Sequence, residues 1–264
     1  MPFATRLPGI DLAYEFLDGH GPVVMFCPGY ASDMTGTKAL ALEAWCRARG
    51  QAMLRLDYAG HGQSGGVFIE NGIGDWAADA EFVLEQAAPG REVLLVGSSM
   101  GGWISLLLGP KLGARLQGMV LLAPAPDFTA AMLAQDLPPA QQEEVRKKGV
   151  IYRPSAYGDP LPFSLALVER SAAFLVMTSE IAVTCPVRIL HGMKDADVPW
   201  QRSLKLVEML ASQDVRLTYI KNGDHRLSAP GDLALLGQIV GALLGENGGQ
   251  PLAVAGVAPD QAQP

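Results

Sequence analysis

The chain has 264 residues, 49% of them hydrophobic, and a formal net charge of −7. That length suits one α/β domain with a modest insertion, and the acidic balance without any Lys/Arg run argues against nucleic acid as a partner. The three cysteines, Cys27, Cys46 and Cys185, have neither zinc spacing nor the number for a disulfide framework, so no metal is implied and a reducing compartment is expected.

Residues 1–8 lack the long apolar region of a secretory signal, and no apolar stretch is long and unbroken enough to span a membrane, so a cytoplasmic location is expected. Residues 12–17 alternate like an antiparallel edge strand, and 18–22 form a turn. Residues 23–27 read as a buried strand ending at Pro28-Gly29-Tyr30. Helical periodicity over 38–49 stops at Gly50. A strand over 52–56 runs into a glycine-rich loop, 57–66, and 75–88 reads as an amphipathic helix. A short strand over 93–96, a turn and an apolar helix over 103–108 follow, then a strand over 119–123. The alternation lapses between 128 and 182, where helical fragments are broken by Pro138, Pro139, Pro154, Pro160 and Pro162. It resumes with strands over 187–191 and 215–220 and helices over 203–211 and 233–244. From 246 onward the chain is rich in Gly, Pro, Ala and Gln, and disorder is expected.

This pattern predicts a mostly parallel central sheet with helices on both faces, built from 1–127 and 183–245. Residues 128–182 are expected to form a small helical cap, and 246–264 a tail. In such sheets ligands gather at the carboxyl ends of the strands.

The stretch Gly97-Ser98-Ser99-Met100-Gly101 fits Gly-x-Ser-x-Gly between a strand and a helix, the context of a nucleophile elbow. Glycines two residues either side remove Cβ atoms where strand and helix nearly touch, leaving the Ser99 hydroxyl exposed. A serine needs a base, and the base needs an acid to hold its tautomer. His191 and His225 follow Ser99. His191 is in strand register and reads as structural; His225, in the loop after the last strand, is the expected base. Asp195 is the expected acid, with Asp197 and Asp127 as rivals; Asp224 reads as a loop former. The oxyanion donors are expected to be the backbone N–H groups of Met100 and Tyr30. His61 precedes Ser99, which is the wrong order for the base, and its loop reads as structural.

Taken together, Pro28-Gly29-Tyr30, Asp57-x-x-Gly60-x-Gly62-x-Ser64, Gly97-x-Ser99-x-Gly101, Gly192-x-x-Asp195-x-x-Val198-Pro199 and Asp224-His225 resemble the α/β-hydrolase superfamily over most of the chain. More narrowly, Gly36-Thr37-Lys38-Ala39-Leu40-Ala41, Val96 to Trp103 and His191-Gly192-Met193-Lys194-Asp195 with Val198-Pro199-Trp200 resemble the branch that contains the mitochondrial palmitoyl-protein thioesterase, also known as mycophenolic acid acyl-glucuronide esterase. The resemblance implies a serine hydrolase of esters or thioesters, needing no cofactor and acting on a small-molecule or acyl-protein substrate. A perhydrolase or acyltransferase would reuse the same triad, and a non-catalytic binding protein of this fold would lack part of it. The cap's apolar residues, among them Phe128, Phe163 and Phe174, are expected to join Tyr30 in lining the substrate pocket.

Overall fold

The computed structural model describes residues 2–155 and 158–245. An antiparallel pair opens the chain, β1 (Phe3–Leu7) and β2 (Ile10–Leu17), followed by β3 (His20–Cys27). Helix and strand then alternate through α1 (Thr37–Arg47), β4 (Gln51–Leu56), α2 (Ile73–Ala87), β5 (Val93–Ser98), α3 (Met100–Leu112) and β6 (Leu116–Leu122). Next come α4 (Phe128–Ala131), α5 (Pro139–Lys148), a hairpin of β7 (Val150–Ser155) and β8 (Gly158–Ser164), and α6 (Leu165–Ser171). The last units are β9 (Val187–Gly192), α7 (Gln201–Met209), β10 (Val215–Ile220) and α8 (Pro230–Leu243).

Eight strands form one sheet in the order β1-β2-β4-β3-β5-β6-β9-β10. β2 alone runs against the others, and every pairing from β4 to β10 is parallel. Both faces of the sheet are covered, and the strand pleat divides the core accordingly. Val23, Met25 and Cys27 of β3 pack with Trp76 of α2 and Trp103 of α3. Val24 and Phe26 point the other way, towards Leu42 and Trp45 of α1 and Leu236 and Val240 of α8. Burial on two faces is why these strands read as continuous apolar runs rather than alternating ones. Each such Val or Leu stabilises the fold by roughly 1.5–3 kcal/mol.

The structure departs from the sequence reading in two places. β2 is not the edge strand, because β1 pairs outside it. Phe3 and Leu7 are exposed and only Ala4 is buried, so β1 carries too little apolar pattern to announce a strand. An ion pair from Arg6 to the buried carboxylate of Asp79 in α2 ties it down instead. The second departure is the hairpin β7–β8, where helical fragments were expected. Pro154, Pro160 and Pro162 all sit in its strands. A two-stranded pair consists only of edges, so a missing N–H is tolerated there. Pro138 and Pro139 behave as the helix rules predict, at the start of α5. The tail expected to be disordered from 246 lies outside the described residues.

Candidate active site

Parallel pairing places the ends of β5, β6, β9 and β10 side by side, and the chemistry-bearing residues follow at short intervals. Ser99 is one residue past β5, Asp195 three past β9 and His225 five past β10. Ile220 at the end of β10 is level with Gly192 at the end of β9. A Cβ on Gly192 would strike the Gly223 carbonyl. The absence of that atom lets the two loops close on each other.

Ser99 has φ 53° and ψ −116°, a conformation costly for a residue with a side chain. Its own N–H donates to the Leu122 carbonyl at 2.9 Å, which helps hold the turn. A Cβ on Gly97 would meet Ser105 Oγ at 2.5 Å, and one on Gly101 would run into the Cys27 carbonyl. Strand and helix can therefore approach this closely only with glycine at both places.

Ser99 Oγ lies 2.9 Å from His225 Nε2, and His225 Nδ1 lies 2.7 Å from Asp195 Oδ2. Asp195 Oδ1 accepts the N–H groups of Asp197 at 2.9 Å and Val198 at 2.8 Å. Burial would raise the Asp195 carboxyl, but hydrogen bonds from His191 and His225, the His225 charge and the Val198 N–H outweigh it and hold the group well below the usual carboxylate range. With Nδ1–H donated to a carboxylate, His225 presents a bare Nε2 to the Ser99 hydroxyl.

The rival acids are placed otherwise. Asp127 accepts the N–H groups of Val176 at 2.9 Å and Met177 at 2.8 Å, which joins the start of segment 128–182 to its end. Asp224 accepts from the Leu227 N–H at 3.0 Å and shapes its own loop. The Asp197 carboxylate is exposed, yet lies within 4.8 Å of ligand atoms of Asp195 and His225.

The Pro28–Tyr30 loop lies against the elbow: a Cβ on Gly29 would sit 3.4 Å from Ser99 Cβ. Asp57 steadies the following turn by accepting the Met34 N–H at 2.7 Å. The Met100 N–H heads α3, where no carbonyl one turn back serves it. His61 is caged by the rings of Tyr58, Phe68 and Trp76, and burial pushes it down to about 4. Burial pushes the Cys27 thiol up to about 11, so it is inert at neutral pH.

Two cavities meet at Ser99 and His225. One, of about 220 Å³, is walled by Tyr30, Phe128, Met132, Leu161, Phe163 and Val198, with Arg153 and Arg202 also in its lining. The other, of about 500 Å³, is lined about equally by polar and apolar surface, its polar part including Ser32, Thr35, Thr37, Lys38, Arg226 and Ser228. Lys38 Nζ donates to the Arg226 carbonyl; burial and the Arg226 charge lower its ammonium to about 8, against the pull of Asp224 and Asp232. Tyr30 borders both cavities, its hydroxyl donating to the Pro162 carbonyl at 2.6 Å. Phe128 and Phe163 reach the smaller cavity, but Phe174 lines neither, because its ring rests on Gly74 of α2. Lys38 and Arg202 were not anticipated. The one hint was positional: Lys38 is the second residue of α1, at the end facing the site.

A family model described as serine aminopeptidase, S33, matches residues 19–157. Palmitoyl-protein thioesterase ABHD10, mitochondrial, of Rattus norvegicus is 38% identical over 238 residues, covering 89% of this chain and 80% of that protein. The chain belongs to this family of α/β hydrolases. Among solved structures, a putative hydrolase from Agrobacterium vitis S4 matches with TM-score 0.86 at 40% identity, covering 92% of this chain and 97% of that one. The mouse alpha/beta hydrolase domain-containing protein 10 matches with TM-score 0.84 at 36% identity, covering 93% and 98%. Family membership accounts for the mostly parallel sheet with helices around it. The cytoplasmic location expected from the N-terminal residues is corrected: the rat, mouse, cattle and human relatives are all named mitochondrial. Composition at one end of a chain was too weak a signal to assign a compartment.

Proposed function

We propose that the protein hydrolyses carboxylic esters or thioesters through an acyl-Ser99 intermediate. The observation that carries this reading is the unbroken hydrogen-bond chain from Ser99 Oγ through His225 to Asp195 where two cavities meet. His225 Nε2 takes the Ser99 proton as Oγ attacks the acyl carbon, and Asp195 stabilises the imidazolium that forms. The N–H groups of Met100 and Tyr30 receive the oxyanion. Collapse expels the leaving group, which takes the proton from His225. Water then attacks the acyl-enzyme by the reverse proton path and frees the acid.

The smaller, more apolar cavity takes the acyl group, and the larger one, with Lys38, Arg226 and several hydroxyls in its lining, takes the leaving group. A substrate of this shape joins an apolar acyl chain or aryl acid to a hydrophilic thiol or alcohol, as in an acyl-protein, acyl-thioester or acyl-glucuronide. The rat relative is named a palmitoyl-protein thioesterase, which agrees with that class. Residues 128–182 act as a cap over the core of 1–127 and 183–245, and Phe128 and Phe163 select the acyl group. Steady-state kinetics of Ser99→Ala on p-nitrophenyl esters and acyl-CoA test the reading. The variant should lose on the order of 10⁴–10⁶-fold in kcat, and a rate within tenfold of the native enzyme contradicts it.

A further inference from the structure

His191 is fully buried at the end of β9, where the sequence suggested a purely structural residue. Its ring has a definite set of partners. Nε2 lies 3.0 Å from Asp195 Oδ2 and 3.2 Å from the Val198 carbonyl. Both are acceptors only, so Nε2 carries the hydrogen. Nδ1 lies 2.6 Å from Ser203 Oγ of α7, whose hydroxyl donates to it in the neutral ring. The oxygen that His191 holds is the same Oδ2 that receives Nδ1–H of His225.

We propose that His191 is a positioning residue for the triad: its Nε2–H fixes Asp195 Oδ2 in line with His225, and Ser203 fixes the tautomer that allows it. The inference rests on the proposed roles of Ser99, His225 and Asp195. The two backbone N–H groups on Oδ1 hold one end of the carboxylate, from Asp197 and Val198 within its own loop. His191 supplies the anchor at the other end, from outside that loop. It connects β9, the acid loop and α7, so rotation of the carboxylate about its χ2 is blocked at both oxygens. Without it Oδ2 is free to swing away from His225 and the imidazole loses its register on Ser99.

The test compares His191→Leu, which removes the donor at similar volume, with His191→Gln, whose amide nitrogen can stand near the place of Nε2, and with Ser203→Ala. Each is checked for folding by circular dichroism and thermal melting, then assayed on one p-nitrophenyl ester. For His191→Leu, kcat should fall about tenfold to a hundredfold with KM within twofold, since the lost order is in the catalytic groups and not the cavities. His191→Gln should recover most of that loss, and Ser203→Ala should fall between. In proton NMR, the far-downfield resonance of the His225–Asp195 bond should move upfield or broaden away in His191→Leu, as Oδ2 swings out of line with Nδ1–H. A folded His191→Leu at the native kcat, or a His191→Gln as slow as His191→Leu, overturns the proposal. Should His191→Leu not fold, a Ser203→Ala enzyme with native kcat and an unmoved downfield proton overturns it equally. Fluorophosphonate labelling of the native enzyme separates this failure from that of the triad reading. An adduct on Ser99 with indifferent His191 variants removes only the role of His191; no adduct on Ser99 removes both.

Discussion

The strand-end loops and segment 128–182 border the same cavities, yet they are held by different means. Around Ser99 the backbone itself is packed to contact. Glycines at 97, 101 and 192 stand where a single methyl group would strike a neighbouring main chain or its side chains, and Asp195 is bonded through both oxygens. Segment 128–182 is held by apolar packing, by main-chain bonds of Ile181 to Met209 and Ala211, and by side-chain tethers. Asp127 bonds its exit, Tyr30 reaches the Pro162 carbonyl, Ser164 Oγ donates to Ile69 at 3.0 Å, and Trp103 Nε1 donates to Phe174 at 3.0 Å. A Cβ on its Gly149 would meet nothing within 4 Å. On the proposed reading the loops, which leave no room for a methyl group at 97, 101 and 192, position the chemistry, and the cavity-facing part of the segment would set selection separately from it.

Exchanging the acids should give the largest contrast. Asp195→Asn should lower kcat about 10⁴-fold, because the amide favours the wrong imidazole tautomer. Asp197→Asn and Asp127→Asn should each stay within about tenfold, their loss being of local charge or of a tether. An Asp127→Asn enzyme as slow as Asp195→Asn would mean that the tether and the chemistry are not separable. Stability should divide in the same way. Gly101→Ala should cost more than about 4 kcal/mol or prevent folding, since the methyl group meets the Cys27 carbonyl. Gly149→Ala should cost only about 1–2 kcal/mol for its φ of +77°, as measured by urea unfolding.

A smaller effect should appear in selectivity. Phe163→Ala and Phe128→Ala should each weaken kcat/KM for medium acyl chains relative to short ones by about 1–3 kcal/mol. Unchanged chain-length preference in both variants would assign selection to the core instead. The smallest effect concerns pH and His61. Burial pushes this imidazole down to about 4, while the unfolded chain titrates near 6.5. The unfolded state therefore binds the proton first as pH falls. Stability contributed by the neutral ring is complete above about pH 6.5 and declines towards about pH 4. His61→Phe should show a flatter melting temperature over that window than the native protein; parallel curves would contradict the buried neutral ring.

Most of the sheet was legible because its strands, buried on both faces, leave uninterrupted apolar runs bounded by glycine and proline. The loops around Ser99, Asp195 and His225 were legible because each follows an expected strand within five residues. What the sequence concealed depends on contacts between distant positions. β1 owes its place to pairing with β2 and to Arg6–Asp79, neither visible as a pattern. The hairpin β7–β8 breaks the rule that proline interrupts strands, since its partners are few. Phe174 and Phe163 look alike as apolar residues of one segment, but only packing decides that one faces Gly74 and the other the cavity. The second histidine on Asp195 did leave a trace, four residues ahead of it, but the spacing has meaning only once a strand end and a loop fold it back.

The acyl-Ser99 intermediate is the centre of this account, and its site of formation can be read directly. The native enzyme would be treated with a fluorophosphonate, digested, and the modified peptide sequenced by mass spectrometry, with Ser99→Ala treated in parallel. The account predicts a single adduct, on Ser99, that is absent from the variant and forms in step with loss of esterase activity. An adduct on Ser98, or full inactivation with Ser99 unmodified, would contradict it.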